Sequence, residues 1–182
     1  MRRCIYDYIS SFVFGVLFGY ISASPFVMQE IHDLSTGWFT LAFALNAAGL
    51  TAANIVNAKL LGRTTLHKLL RAGLVLLVVW SALFGLNALL GPALWITVVL
   101  LFLAVSSLGL VIANAATIAL EQVRHAAGTG SAILGALQFL LAAIVAPLVG
   151  IAGEDTAVPM ALAMFLSAVL GLASLAVART RG

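Results

Sequence analysis

Long apolar stretches separated by short polar connections make up the pattern of this chain. A helix needs about 20 predominantly apolar residues to cross a lipid bilayer. Six stretches reach that length, and connections with glycine, proline or charged residues separate them. The pattern therefore predicts an all-α polytopic membrane protein with six transmembrane helices, and no linker divides residues 1–182, which we expect to form a single domain. The predicted helices lie at about residues 9–28, 38–58, 69–90, 94–118, 130–151 and 158–177.

The amino-acid composition strengthens the membrane assignment. Hydrophobic residues make up 63% of the 182 residues, and charged residues only 8%. Soluble domains have about 25% charged residues, and disordered chains combine low hydrophobicity with high net charge, so both classes are excluded. The single cysteine, Cys4, excludes an internal disulfide and a cysteine-based zinc site. We expect no metal and no cofactor.

The basic residues indicate how the six helices are oriented. All nine Lys and Arg residues lie at the two ends of the chain or in and beside the second and fourth connections. They are Arg2, Arg3, Lys59, Arg63, Lys68, Arg71, Arg124, Arg179 and Arg181. With six helices these segments fall on one side, and the acidic residues Glu30, Asp33, Glu154 and Asp155 fall on the other. Because cytoplasmic loops are enriched in Lys and Arg, we expect both termini in the cytoplasm. The basic residues thus reflect topology, and no nucleic-acid partner is expected.

The N-terminal segment also has features of a secretory signal. Arg2 and Arg3 precede an apolar stretch, which the small residues 22–24 follow. Pro25 would come directly after the cleavage bond, however, and apolar helices continue along the chain. We therefore expect an uncleaved first transmembrane helix.

Polar residues within the predicted helices separate two groups of helices. The third and sixth helices are nearly pure Leu, Ala and Val, whereas the first, second, fourth and fifth contain tyrosine, serine or amide side chains. Polar groups are costly in hydrocarbon, so we expect helices three and six to face lipid and the other four to face inward. This pattern repeats every three helices, which is typical of the 3+3 repeat within one half of a larger transporter.

Three of the inward-facing helices present a stripe of small residues that also contains an amide. On the second helix this stripe consists of Asn46, Gly49, Ala53 and Asn57. The stripes of the fourth and fifth helices contain Asn114 and Gln138. Two interpretations stay open, because such a stripe forms either a packing interface with interhelical amide bonds or the wall of a solvent-accessible cavity.

Glycine and proline mark further features of the first and fifth helices. Gly15 and Gly19 form a GxxxG pattern, for which we expect close packing within the bundle rather than dimerisation. Pro25 and Pro147 lie near the ends of helices one and five. A bend there would serve gating or be a purely structural kink.

Ionisable residues are absent from the middle of every predicted helix. A proton-coupled pump needs a protonatable group inside the membrane, so proton coupling would have to involve residues outside this sequence. The turn Gly128–Ser131 offers a serine nucleophile, but no transmembrane helix supplies a histidine base for it. No HExxH motif occurs either. We therefore do not expect an enzyme.

Three stretches, matched in order, resemble the C-terminal half of the Bcr/CflA-type multidrug efflux transporters of the major facilitator superfamily. They are Phe18–Val27, Phe43–Leu61 and Ala113–Gly150. The interval from Phe18 to Gly150 takes in most of the chain, and three ordered matches are more specific than one motif. Members of that family have twelve spans in two six-helix domains, and this chain is similar to spans seven to twelve.

The resemblance implies a drug:proton antiporter that exports small amphipathic drugs across the cell inner (plasma) membrane by alternating access and confers antibiotic resistance. The proton-linked residues of the family lie in its N-terminal half. We therefore expect this chain to be incomplete on its own and to need an N-terminal six-span half or a second copy. Two alternatives stay open: a homodimeric six-span small-molecule transporter or channel, and a non-transporting membrane scaffold.

Two groups of residues are candidates for function. Aromatic and amide side chains suit a cavity that accepts varied apolar drugs by stacking and a few hydrogen bonds. The predicted substrate-cavity residues are Tyr20, Phe26, Asn46, Asn114 and Gln138. The second group, which we call the basic loop, consists of Lys59, Arg63, Lys68 and Arg71. It resembles the basic cytoplasmic loop between the second and third spans of a superfamily domain, which implies electrostatic pairing with helix ends during transport.

Overall fold

The computed structural model describes residues 2–91, 93–121, 127–152 and 156–180, and these residues form an all-helical bundle. Its elements are α1 Arg2–Pro25, a π-helix Phe26–Ile31, α2 Thr36–Leu60, α3 Leu66–Leu90, α4 Leu94–Glu121, α5 Ala127–Ala152 and α6 Val158–Thr180. Within these described residues, six helical segments are long and apolar enough to cross a membrane. The predicted all-α class and the six transmembrane helices are confirmed. We call the membrane edge with the basic loop the basic side, and the edge with Glu30 and Asp33 the acidic side.

Two central helices hold the bundle together. Helix α1 packs against α4, α5 and α6, whereas α4 packs against α1, α2 and α3, and α3 also packs against α6. Exchanging α1 with α4, α2 with α5 and α3 with α6 leaves this set of principal contacts unchanged. Such an exchange is expected of two three-helix repeats, so the predicted 3+3 arrangement is present in the packing.

Burial differs strongly between the central and the flanking helices. In the most apolar window of each helix, 56% of the α1 segment and 44% of α4 are buried, compared with 17% of α2 and 28% of α5. Helices α2 and α5 therefore lie at two flanks of the central pair. The prediction that the second and fifth helices face inward applies only to one stripe of each, because few neighbours cover their other faces.

Small residues set the closest contact between α2 and α4. A Cβ atom added at Gly109 of α4 would lie 2.7 Å from the Leu50 carbonyl oxygen and 2.8 Å from the Ala53 Cβ atom. A Cβ atom added at Gly49 of α2 would in turn overlap the Phe102 ring of α4. The small-residue stripe of α2 is therefore a packing interface, which is the first of its two interpretations.

The GxxxG pattern of α1 also lies in an interface inside the bundle. A Cβ atom added at Gly15 would lie 3.1 Å from the Ser167 Oγ atom of α6, and one at Gly19 would lie 3.6 Å from the Val145 side chain of α5. The predicted close packing within the bundle is confirmed. Glycine at these positions lets α1 approach two neighbouring helices at once.

Pro25 ends α1, and the chain continues as the π-helix Phe26–Ile31. Because proline has no N–H group and its ring crowds the carbonyl four residues earlier, the α-helical bonding pattern is interrupted there. The segment closes with Asp33 at a φ of 51° and a 3.0 Å hydrogen bond from the Leu34 N–H to the Met28 carbonyl. Helix α5, by contrast, continues as an α-helix through its own proline.

Candidate substrate-binding surface

Tyr20 and Asn46 form a buried hydrogen bond between α1 and α2. The Asn46 Nδ2 atom donates to the Tyr20 hydroxyl oxygen over 2.7 Å, and each side chain is only 3% exposed. The Tyr20 ring stacks on Phe43, with ring centroids 5.7 Å apart and an interplanar angle of 13°. Two predicted site residues thus contact each other and hold the central helix α1 against the flanking helix α2.

Phe39 and Phe43 extend this contact into an aromatic row that the sequence analysis missed. Their ring centroids are 6.0 Å apart, and Phe43 is 37% exposed. Aromatic faces accept flat apolar ligands by stacking. The spacing of Phe39, Phe43 and Asn46 at i, i+4 and i+7 places them on one face of α2, and this signal would have found the row.

Asn57 and Asn114 form a reciprocal amide pair between α2 and α4. Each Nδ2 atom donates to the other residue's Oδ1 atom, over 3.2 Å from Asn57 and 2.7 Å from Asn114. The Asn114 amide also donates to the Leu110 carbonyl over 2.7 Å. Both side chains are buried. This pair fastens α2 to α4, and substrate contact at Asn114 stays a prediction.

Gln138 joins the other flanking helix to the central pair. Its Nε2 atom donates to the Ser10 hydroxyl of α1 over 2.7 Å, and the Gln138 side chain is 9% exposed. A longer hydrogen bond of 3.4 Å, from the Ser22 hydroxyl to the Ala146 carbonyl, connects the same two helices nearer the acidic side. Two polar contacts thus hold α5 against α1.

The five predicted substrate-cavity residues do not form a single cluster. Asn46 with Tyr20, Asn114 with Asn57, and Gln138 with Ser10 are three separate contacts, and each joins a central to a flanking helix. Phe26 lies on the π-helix with 41% of its surface exposed. The amides therefore act as interhelical hydrogen-bonding groups in this structure, and their contact with a substrate stays a prediction.

A polar cluster at the acidic side was not singled out by the sequence analysis. The Asn87 Nδ2 atom donates to the Thr97 hydroxyl oxygen over 2.9 Å, and the His32 Nε2 atom lies 3.3 Å from the same oxygen. The Thr97 side chain is completely buried. Burial lowers the pKa of His32. Within the part of the chain that the structure describes, no group of three or more His, Cys, Asp or Glu residues could hold a metal ion.

The basic loop presents four exposed cations at the other membrane edge. Lys59 lies in the last turn of α2, Arg63 in the connection, and Lys68 and Arg71 near the start of α3. Backbone hydrogen bonds of 2.9 Å from the Arg63 and Thr64 N–H groups to the Leu60 carbonyl close the connection. Pairing of these cations with helix ends stays a prediction.

Two tryptophans flank a groove between α2 and α4 at the acidic side. The groove has a volume of about 360 Å³, and Trp38 and Trp95 are 62% and 76% exposed. The other lining residues are Leu34, Leu41, Ala42, Leu45, Leu94 and Val98. Tryptophan is enriched where a membrane meets water, so this position matches the predicted end of the bilayer.

Most of this chain is similar in sequence to known proteins. The family model of the Major Facilitator Superfamily matches residues 8–147. The chain is 34% identical over 160 residues to the MFS-type transporter YdgK of Bacillus subtilis, which covers 88% of this chain and 40% of that protein. It is 28% identical over 159 residues to a bicyclomycin resistance protein homolog of Haemophilus influenzae, which covers 87% and 40% respectively. The chain spans about two fifths of the length of these relatives.

The family match over most of the chain and the six membrane-spanning helices agree: the chain belongs to the Major Facilitator Superfamily, a family of membrane transporters rather than enzymes.

Proposed function

We propose that this chain is the C-terminal six-helix half of a multidrug efflux transporter that exchanges drugs for protons across the inner membrane. The observation that carries the proposal is the match to two fifths of the length of its relatives, one of them a bicyclomycin resistance protein homolog. A six-helix unit of this kind needs a second one to form an alternating-access cavity. The proposed orientation has both termini in the cytoplasm, because the basic residues lie on that side.

The exposed surface of α2 supports the need for a second half. Asn54 is exposed in the half of α2 nearer the basic side, on a different face from the buried Asn46 and Asn57. A polar side chain that faces hydrocarbon without a partner is unfavourable. Ile55 and Val56 beside it are 53% and 50% exposed. A second protein domain, with a water-filled cavity between the two, would provide both the apolar contact and the polar environment that this face requires.

Proton coupling is assigned to the missing half. No Asp, Glu, Lys, Arg or His occurs between residues 8 and 29, 34 and 58, 72 and 120, 126 and 153, or 156 and 178. The middle of every helix in this chain therefore lacks a group that titrates between the pH values of the two compartments. In our proposal this half contributes substrate contacts and the movement of α2 and α5 against the partner domain.

Expression in a drug-hypersensitive bacterium tests the proposal. We expect no bicyclomycin resistance from this chain alone, and resistance when it replaces the C-terminal half of the Haemophilus influenzae relative in a twelve-span chimera. A protonophore should abolish efflux by the chimera. Efflux from this chain alone that depends on the proton gradient would instead support the homodimeric transporter. A chimera that inserts in the membrane but does not export any drug would favour the scaffold.

The same chimera tests the substrate-cavity residues. We expect that Ala at Asn46, Asn114 and Gln138 together changes the range of drugs exported, because in our proposal these amides contact the substrate. Val56→Ala, which shortens an exposed apolar side chain of α2 without removing an amide, is the control. An unaltered drug profile in the triple variant would contradict the assignment of all three residues.

A further inference from the structure

A groove between α3 and α6 opens at the basic side, on helices that do not belong to either flank. It has a volume of about 250 Å³. Its lining consists of Arg71, Val75, Leu172, Leu175 and Ala176. The two helices approach closely behind it, because a Cβ atom added at Gly171 would lie 3.2 Å from the Leu74 side chain. One guanidinium group therefore stands at an otherwise aliphatic groove.

Arg71 carries an exposed positive charge at the mouth of this groove. The Arg71 side chain is exposed, and the structure records no ion pair for it among the side chains that it describes. Lys68, one helical turn earlier, is exposed as well. Both cations lie within the first two turns of α3, which begins at Leu66, and so at the depth where lipid phosphates are found.

A second groove between the same two helices provides an internal comparison. It lies nearer the acidic side, has a similar volume of about 260 Å³, and is lined without any charged residue. Its lining consists of Ser81, Ala82, Gly85, Leu86, Leu89, Val158, Ala161, Leu162 and Phe165. The mainly apolar lining of both grooves suits part of an acyl chain, but only the groove with Arg71 has a charged group that distinguishes one lipid headgroup from another.

We propose that the groove at Arg71 binds one anionic phospholipid from the leaflet on the basic side. Arginine binds phosphate through a planar fork of N–H donors, and basic pockets between transmembrane helices select anionic headgroups. The phosphate lies on Arg71, and one acyl chain lies along Val75, Leu172 and Ala176. A zwitterionic lipid offers the same phosphate but adds a cationic group, which Arg71 and Lys68 repel, so it binds more weakly. This site involves neither α2 nor α5, although Arg71 also belongs to the basic loop.

Native mass spectrometry of the full chain in detergent, titrated with phosphatidylglycerol or with phosphatidylcholine of the same acyl chains, measures the selectivity. One basic residue near a membrane surface gives about a fivefold preference for an anionic lipid. We expect that preference in the original chain, its loss in Arg71→Gln and its retention in Arg71→Lys. Arg63→Gln, which removes one charge from the same connection outside the groove, should retain it. Size-exclusion chromatography and circular dichroism establish that each variant is folded.

A separate variant tests whether the acyl chain lies in the apolar part of the groove. Ala176→Trp fills the groove without changing any charge, and we expect it to reduce phosphatidylglycerol binding to the level of Arg71→Gln. Equal binding of the two lipids, or an equal loss in Arg63→Gln and Arg71→Gln, would overturn the proposal in favour of general surface attraction. Unchanged binding in Ala176→Trp would also overturn it. Displacement of the lipid by inorganic phosphate at equal concentration would show that the site binds the headgroup alone, and would contradict the proposed position of the acyl chain.

Discussion

The central helices α1 and α4 and the flanking helices α2 and α5 differ in burial although all four are strongly apolar. Each helix of the central pair packs against three other helices. By contrast, α2 has a principal contact only with α4, and α5 only with α1. What fastens each flank is a combination of small residues and amides along one stripe. Hydrophobicity therefore places a helix in the membrane, whereas small and polar residues determine which helices it packs against.

A methyl group added to the contact between α4 and the flanking helix α2 should have the largest effect. In Gly109→Ala the new Cβ atom meets the Leu50 backbone of α2 at 2.7 Å, so α2 has to move away. We expect the free energy of unfolding to fall by about 1–3 kcal/mol, measured by titration with a denaturing detergent. Gly135→Ala on the flanking helix α5 is the control, because its added Cβ meets no described atom of another helix within 4 Å. Equal losses in the two variants would contradict the difference between centre and flank.

Removal of a buried amide should have the next largest effect. Asn57→Ala deprives Asn114 of its partner across the α2–α4 contact, and we expect a loss of about 1–2 kcal/mol in unfolding free energy. Asn54→Ala, on the exposed face of the same helix, should change it by less than about 0.5 kcal/mol. In a double-mutant cycle, Asn57→Ala with Asn114→Ala should cost less than the sum of the two. Strict additivity would show that the pair does not fasten the helices.

A smaller loss is expected for Tyr20→Phe, which keeps the ring on Phe43 but removes the hydroxyl that accepts from Asn46. Interhelical hydrogen bonds of this kind average about 0.6 kcal/mol. A cycle of Tyr20→Phe with Asn46→Ala measures their coupling by the same denaturing titration. If no coupling is detected while both variants retain native helicity, the polar contact does not contribute to holding α2.

The smallest effect is expected from pH, through the cluster at His32. Burial lowers the pKa of His32, so the folded state favours the neutral ring. As the pH falls below the unfolded value of about 6.5, the unfolded chain binds more protons than the folded one, and stability decreases until the pH falls below the lowered folded value. We expect a slightly lower unfolding midpoint at pH 5.5 than at pH 7.5.

Two histidine variants provide the test and the control for that pH effect. His32→Gln should remove the part of the pH dependence due to this residue. His67→Gln, which removes a histidine from the other membrane edge, should retain it. A pH dependence that is unchanged in His32→Gln would contradict the role of burial at this residue.

The sequence predicted the features that depend on counting apolar residues and glycines. Six helices, their 3+3 arrangement and the packing role of Gly15 and Gly19 follow from length, spacing and the cost of polar groups in lipid. The π-helix after Pro25 was not predicted, because proline interrupts α-helical bonding without dictating what replaces it. The exposure of most of α2 was also missed, since Asn46, Asn54 and Asn57 indicate polar faces but not which of them a neighbour covers.

Of the five residues predicted for the substrate cavity, the structure brings only Tyr20 and Asn46 into contact, and substrate binding stays a prediction for all five. Tyr20 and Asn46 do contact each other, and the spacing of Phe39 and Phe43 would have extended the prediction to the aromatic row. Asn114 and Gln138 were assigned to a common cavity, but their partners are Asn57 and Ser10 on different helices. Pairing between helices depends on the order in which they pack around α1 and α4, and residue spacing within one helix does not contain that information.

The central claim is that the exposed face of α2 is covered by a second six-helix domain. Co-purification of the tagged chain with the separately expressed N-terminal half of the Haemophilus influenzae relative tests it most directly. We predict a complex of one copy of each, lost in Asn54→Trp on α2 and retained in Leu83→Trp, which introduces the same side chain at an exposed position of α3. A chain that purifies without the N-terminal half, or a complex that both variants form equally, would contradict the claim.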